Sequence, residues 1–408
     1  MLPRIKIKFD NGNLGSVVST ADGVFGLLAS SVAVAGKFEL ETPYVVKGMQ
    51  DVATLGILPD VDNYILYKTL REFYEEAGEG QELWLMGFPK TDKVSDWFTP
   101  DATTGKAPAE QLLDAANGKL TALITKFSPD ASYTAVITDG MDEDVMIAKQ
   151  KAQLLAVNYT NKKYAPFIAI IEGYAFNGNH IDLPTLLTGN DNRVAIFLGD
   201  TKKRIDAPVS YGTANHILAA RLAKIHVHEN AGKVKTGSLA TLGAFVVDKV
   251  IELYDVESLH DKGYITFRTH VGKSGYYITD DPLATAETDD YHYISRRRVI
   301  DKAYRIAHNV ASNEILADFN VNNDGTISPF YAKTVEGNIE RAIAQQMTAN
   351  NELSANPNDK NDLGVKATFD LTKNVVSTNK IELSLKVRPK GYARWFDILL
   401  GYDVTLNN

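Results

Sequence analysis

The chain has 408 residues, 44% of them hydrophobic and 23% charged, and 51 acids against 43 bases leave a net charge of -8. That length exceeds one comfortable core, so two or three domains are expected, with the composition of an ordinary soluble globular protein. The acidic balance argues against a nucleic-acid binder, and the lack of cysteine excludes disulfides, thiolate metal sites and cysteine nucleophiles.

The opening stretch, MLPRIKIKFDNGN, lacks the apolar run of a signal peptide. Strict alternation over Arg4–Asp10 predicts a half-buried strand, with Ile5, Ile7 and Phe9 on one face and Arg4, Lys6 and Lys8 on the other. GVFGLLASSVAVAG (Gly23–Gly36) is too short to span a bilayer and reads as buried strand. A Pro-led strand (Pro43–Gly48) follows. Next comes a helix (Tyr64–Gly78) with Ile65, Leu66, Leu70, Phe73 and Tyr74 as its apolar stripe, then a strand (Glu82–Pro89).

In the middle of the chain, AEQLLDAANGKLTALITKF, DEDVMIAKQKAQLLAVNYT and YGTANHILAARLAKIHVHE read as helices. YTAVITDG, FIAIIEGY and RVAIFLGD read as buried strands. Such alternation predicts an α/β arrangement with a partly parallel sheet. The character changes at Gly263, giving short strands, an arginine-led helix from Tyr293 to Val310 and a second helix near Tyr331–Ala349. After a polar loop (Asn350–Asp362), VKATFDL and KIELSLKV form an expected hairpin. Phe396, Ile398, Leu400, Tyr402, Val404 and Leu406 then alternate almost to the end. The fold class expected is α/β (α+β) and multi-domain, with mixed sheets, flanking helices and a small C-terminal β-sheet domain.

Chemistry-bearing motifs are few. VGKSG (Val271–Gly275) lacks the first glycine of a phosphate loop, since Phe267 stands there, and a strand follows it; it reads as a hairpin turn. NVNNDGTIS has Asn320, Asn322, Asp324 and Gly325 at calcium-loop spacing, but its twelfth position is Tyr331 where a bidentate Glu belongs, so it reads as a turn. His226 and His228 have no further ligand nearby. Asp142, Glu143 and Asp144 suit the start of a helix. There is no Gly-x-Ser-x-Gly elbow, and no catalytic residue, metal ligand or cofactor motif is recognisable. An α/β enzyme, hydrolase-like with a dispersed site, remains an alternative, as does a non-contractile virion or adhesion protein.

A terminal strand pairs either within its own domain or by adding to a neighbour's sheet, where main-chain hydrogen bonds supply affinity. Three stretches bear on that choice. They are ADGVFGLLASSVAVAGKFELETPYVVKGMQDVATLGI (Ala21–Ile57), YKTLREFYEEAGEGQELWLMGF, and YHYISRRRVIDKAYRIAHNV with the strands after it. In this order they resemble the contractile tail sheath proteins of phages and phage-like injection machines; the resemblance is looser between Ala109 and Lys262. The AGEGQ turn and EFYEEA depart from the commoner forms, which implies a divergent branch.

The resemblance implies a subunit that stacks as six-membered rings in a helical sleeve around a tube and contracts without cofactor or nucleotide. Its partners would be further copies of itself, the tail tube protein, and baseplate and tail-terminator proteins, with no nucleic acid and no membrane insertion. It would reside in a virion tail or an assembled cytoplasmic particle. The implied layout is a linker strand (1–20), an outer α/β region (21–262, in one or two subdomains), an inner C-terminal domain (263–390) and a second linker strand (391–408). Ile5, Ile7, Phe9, Phe396, Ile398, Leu400, Tyr402 and Val404 would link subunits. Phe369, Leu371, Ile381, Leu383 and Leu385 would form the accepting hairpin.

Arg296, Arg297 and Arg298 crowd the start of a helix, against its dipole. Helical spacing puts Arg298, Lys302 and Arg305 on one face and Val299, Ala303, Ile306 and Val310 on the core side. Two readings of the basic stripe stand open: it faces the tube, or it pairs within the chain with Asp280, Asp281, Asp289 or Asp290.

Overall fold

A computed structural model of the chain describes residues 22–359 and 361–402. The described residues form two compact units that divide between Ala317 and Asp318. The first is built on a sheet of six strands. These are β1 (Phe25–Ser30), β2 (Tyr44–Val46), β3 (Leu83–Phe88), β4 (Ala122–Lys126), β5 (Ile168–Glu172) and β6 (Val194–Phe197). Spatial order is β2-β3-β1-β4-β5-β6. All neighbours run parallel except β2, which lies antiparallel at the edge beside β3. The five parallel strands thus follow the second-first-third-fourth-fifth order of doubly wound sheets.

β1, β4, β5 and β6 are buried at every position. Continuous apolar runs of this kind belong to strands covered on both faces. The cover is helical. α1 (Tyr64–Ala77) lies along α4 (Asn215–Lys224), which packs on β4 and β5; α2 (Pro108–Ala115) packs on β1 and β3, and α3 (Glu143–Lys163) on β5 and β6. Asp142 caps α3 by accepting a 3.2 Å bond from the Asp144 amide, as the acidic triplet predicts.

Two strand expectations fail in the first unit. The expected helix AEQLLDAANGKLTALITKF ends at Ala115, and its second half is β4, at the centre of the sheet. YTAVITDG supplies only the exposed pair Ile137–Thr138 in place of a buried strand.

The first unit extends past the expected break at 262/263. Ile265 bridges in parallel to Phe197 beside β6, and the helix α5 (Ile294–Ala311) also belongs to this unit. The second unit contains α6 (Pro329–Ile343) and two antiparallel strands, β7 (Val365–Phe369) and β8 (Leu383–Val387). Its core is Ile327, Ala332, Val335, Ile339, Ile343, Met347, Ala367 and Phe369. β7 alternates buried and exposed, as expected of a strand covered on one face.

Gly23, just before β1, sits where any Cβ would lie 2.5 Å from the Ala223 carbonyl oxygen of α4. The obstacle is backbone, which has no rotamer to yield. Gly23→Ala is therefore expected to destabilise the first unit by about 1–3 kcal/mol, read as a lower denaturation midpoint in urea; an unchanged midpoint refutes this close approach.

Candidate functional site

The arginine-led helix is answered at its N-terminus by Asp281. The Asp281 carbonyl accepts from the Ile294 amide at 2.8 Å and its carboxylate from the Ser295 amide at 2.9 Å. A carboxylate there offsets the helix dipole that three arginines oppose. Arg296 lies over the Tyr293 ring at 5.4 Å, and Arg297 bonds Asp301 one turn on at 2.8 Å.

The expectation of a tube-facing stripe is corrected by where the other three cations sit. Arg298 and Lys302 are buried, 5% and 4% exposed. Arg298 Nη2 donates to the Asp22 carbonyl at 3.0 Å, and Lys302 Nζ reaches the Asp22 carboxylate at 2.6 Å. Arg305 donates to the carbonyls of Gly118, Leu120 and Pro166, and burial pushes its guanidinium below the ordinary value. These acceptors all lie in the loops that lead into β1, β4 and β5. Buried carbonyls with no strand partner need donors, and long basic side chains from one helix supply them. A fourth contact comes from the opposite direction: Arg193, just before β6, forms a two-pronged pair with Asp301 of α5 at 2.9 and 3.1 Å.

Lys302→Glu would place a second carboxylate beside Asp22 in this buried position. We expect a loss of about 3–5 kcal/mol and a first unit that melts far lower by circular dichroism; an unchanged melting temperature would show that the contact is dispensable.

A second polar cluster lies at the carboxyl ends of the parallel strands, where doubly wound proteins commonly bind ligands. Lys126 ends β4 and Glu172 ends β5; they pair at 3.0 Å and are almost fully buried. Glu172 also accepts from the amides of Phe127 and Thr213, and Lys126 donates to the Thr213 carbonyl at 2.6 Å. Burial pushes the Glu172 carboxyl up despite Lys126 beside it.

The adjoining seam joins α1 to α4. Lys68 contacts Glu72 at 3.1 Å and Asp200 at 2.9 Å, His216 Nε2 meets Glu72 at 2.8 Å, and Arg221 meets Glu76 at 2.8 Å. Burial drives the His216 imidazole below its ordinary value. Burial alone would raise Glu72 and Asp200, but His216 and Lys68 at Glu72, and Lys68 and Lys126 at Asp200, hold both carboxyls low. The sequence signal for this seam is Lys68, Glu72 and Glu76 at i, i+4 and i+8, a charged row flanking the apolar stripe of α1 and buried against His216 and Arg221 on α4.

These groups bond chiefly to one another and leave little room; among the described residues the buried His216 Nδ1 and the Thr213 hydroxyl have no hydrogen-bond partner. The cavity beside them, bordered by Gly173, Asp200, Lys202, Arg204, Gly212 and Thr213, measures about 10 Å³, the space of roughly one water. Aromatic rings fill the neighbouring carboxyl ends: Phe88 stacks on Trp97 at 4.9 Å, and Phe127 meets Tyr133 at 5.0 Å and Tyr174 at 4.7 Å. Among the described residues, no group of three or more His, Asp or Glu is placed to hold a metal. Val271–Gly275 forms the turn between the antiparallel pairs Phe267–Arg268 and Tyr277–Ile278. Asp324 spends its carboxylate on the Thr326 amide and hydroxyl, at 3.0 and 2.7 Å.

A histidine that binds its proton less readily when folded stabilises the fold above about pH 6.5, and that contribution is lost as pH falls toward the depressed folded value. The wild-type melting temperature should therefore fall, relative to a His216→Gln variant, as pH is lowered from 7.5 to 5.5. Parallel curves would remove His216 from the seam's energetics.

In the second unit, β7 and β8 pair in register from Val365↔Val387 to Phe369↔Leu383. Phe369 is buried, Leu383 and Leu385 are half-buried, and Leu371 and Ile381 lie exposed in the connection. Residues 391–402 carry no strand. Phe396, Ile398, Leu400 and Tyr402 are 79% to 102% exposed, as are Trp395 and Leu399. Ile5, Ile7, Phe9 and Val404 lie outside the described residues.

This fold has relatives among solved structures. It superposes on a chain of the anti-feeding prophage baseplate with a TM-score of 0.64 at 14% identity, covering 99% of each chain. A chain of the anti-feeding prophage helical sheath in the contracted state gives 0.62 at 15% identity, again over 99% of each. The sheath tail protein of Listeria innocua gives 0.50 at 9% identity, over 90% of this chain and 95% of that one. No curated protein matches the sequence. At such identities the likeness is one of fold, and the fold is that of contractile sheath proteins. Residues 2–282 match the DUF2586 N-terminal domain and residues 290–407 the DUF2586 C-terminal domain, over more than half of the sequence: the chain belongs to the DUF2586 family.

Proposed function

We propose that this chain is the structural subunit of a contractile sheath, polymerising with copies of itself around a tube and doing work by passing from one lattice packing to another. The observation that carries the reading is end-to-end agreement with sheath chains, 99% of this chain against 99% of a sheath subunit in its contracted state. The correspondence runs through both chains from end to end and is not confined to one unit. The carboxyl-end cluster supports the same reading, because its charged groups bond one another around a cavity of about 10 Å³, whereas small-molecule sites run to several hundred Å³. The partners that follow are further copies, a tube protein, and the baseplate and terminator at the two ends of the sleeve. No described helix is long and apolar enough to cross a membrane.

The link between copies is the alternating segment near the C-terminus. Trp395, Phe396, Ile398, Leu399, Leu400 and Tyr402 expose almost all their surface. Burying side chains of this size gains about 1.5–3 kcal/mol each before ordering costs. Seated in a second copy, they convert a solubility liability into a joint. Purified full-length chain should form rings or hollow sleeves by electron microscopy, while a chain lacking Trp395–Asn408 remains a folded monomer. Sleeves built from the truncated chain would overturn the joint, and compact monomers of the full chain at high concentration would overturn the sheath reading.

A further inference from the structure

The two-stranded sheet of the second unit has two outer edges, and they differ. The Arg388 amide bonds the Gly364 carbonyl at 2.8 Å, and the Asp370 amide bonds the Glu382 carbonyl at 3.0 Å. Even-numbered residues of β7 therefore face β8, and odd-numbered ones point their amides outward. Two of those outward amides are already taken. Ala367 N donates to Glu340 Oε1 at 2.9 Å, and Phe369 N donates to Glu336 Oε1 at 2.8 Å.

Glu336 and Glu340 stand one turn apart on α6, on the side packed against β7. Each is held by a lysine, Lys333 at 2.5 Å and Lys366 at 3.2 Å, and Glu336 is only 3% exposed. Amide bonds to carboxylates are stronger than those to carbonyls, so the carbonyl of an incoming strand cannot displace them. It would also meet two negative charges. On β8 the outward amides belong to Leu383, Leu385 and Val387, and among the described residues no acceptor engages them.

We propose that Glu336 and Glu340 block the β7 edge, so that this sheet accepts a strand on the β8 edge alone and the occupant is the 395–402 segment of a second copy. This rests on the sheath reading and adds to it a direction of growth. The occupant is argued from the chain itself. Phe396, Ile398, Leu400 and Tyr402 alternate and are exposed, which matches the apolar face formed by Leu383, Leu385 and Val387. The opposite face would then set Asp397 near Lys386, whose side chain is exposed. A negatively charged residue opposite a lysine favours the pairing.

The cysteine-free sequence makes cross-linking a direct test. Full-length chains carrying Lys386→Cys are mixed with chains carrying Asp397→Cys or Leu399→Cys, assembled and oxidised. A parallel set carries Thr368→Cys, on the same sheet face but on β7. Disulfide-linked dimers in the Lys386→Cys set, with at least a tenfold lower yield in the Thr368→Cys set, are the expected result. A second arm uses Leu385→Pro, which removes an outward amide at a position where an edge strand tolerates proline. This variant should melt like wild type and give no sleeves. Cross-links through Thr368→Cys in preference to Lys386→Cys overturn the edge assignment while leaving strand donation intact. Sleeves that form without either cross-link overturn both.

Discussion

Parallel strands leave their leading loops in a difficult position. Each loop must return from a helix and enter the sheet within a few residues, and its carbonyls reach the interior before the strand ladder can serve them. In this chain one helix meets that demand for three strands at once and anchors the start of a fourth. Arg298, Lys302 and Arg305 of α5 bond the loops before β1, β4 and β5, and Asp301 receives Arg193 from the loop before β6. The rest of the first unit depends on this clamp, since strand order and helix packing both presuppose that the strand starts are level. Buried ion pairs of this kind add little net stability over an apolar filling, but removal of one partner leaves an uncompensated charge.

The opposite end of the sheet is closed by different means. There the Lys126–Glu172 pair, the Lys68–Glu72–His216 seam and a run of aromatic rings occupy the space that doubly wound proteins commonly leave for a ligand. Cations grip backbone at the leading ends, while side chains fill the trailing ends. At this end of the sheet the side chains leave a space of only about 10 Å³ beside the charged cluster.

Much of this architecture is legible in the sequence, and the exceptions have identifiable causes. FIAIIEGY and RVAIFLGD declare buried parallel strands because their apolar runs are continuous and bounded by glycine and polar residues. β4 was hidden because Leu120, Leu123, Ile124 and Phe127 also fit helical spacing, and short apolar runs cannot be assigned by period alone; Gly118, at φ 76°, marks the true break. YTAVITDG carries strand-forming residues, but β5 already occupies the place beside β4. The basic stripe misled for a similar reason. Helical spacing shows that Arg298, Lys302 and Arg305 share a face, yet their acceptors are mostly backbone carbonyls, and backbone acceptors leave no trace in side-chain identity. The Lys68–Glu72–Glu76 series does leave one, in charges repeated every four residues along one line of the helix.

The grip on Asp22 bears on how the molecule carries load. Asp22 precedes β1 by three positions and is held at both its carbonyl and its carboxylate by α5. That helix is 18 residues long, a rod of about 27 Å, and its far end at Ala311 lies seven positions before the second unit begins at Asp318. The start of β1 is therefore tied to two bodies at once, its own sheet and a stiff helix. Drawing the start of β1 out of the sheet would have to break both contacts with α5 as well as the strand's own ladder.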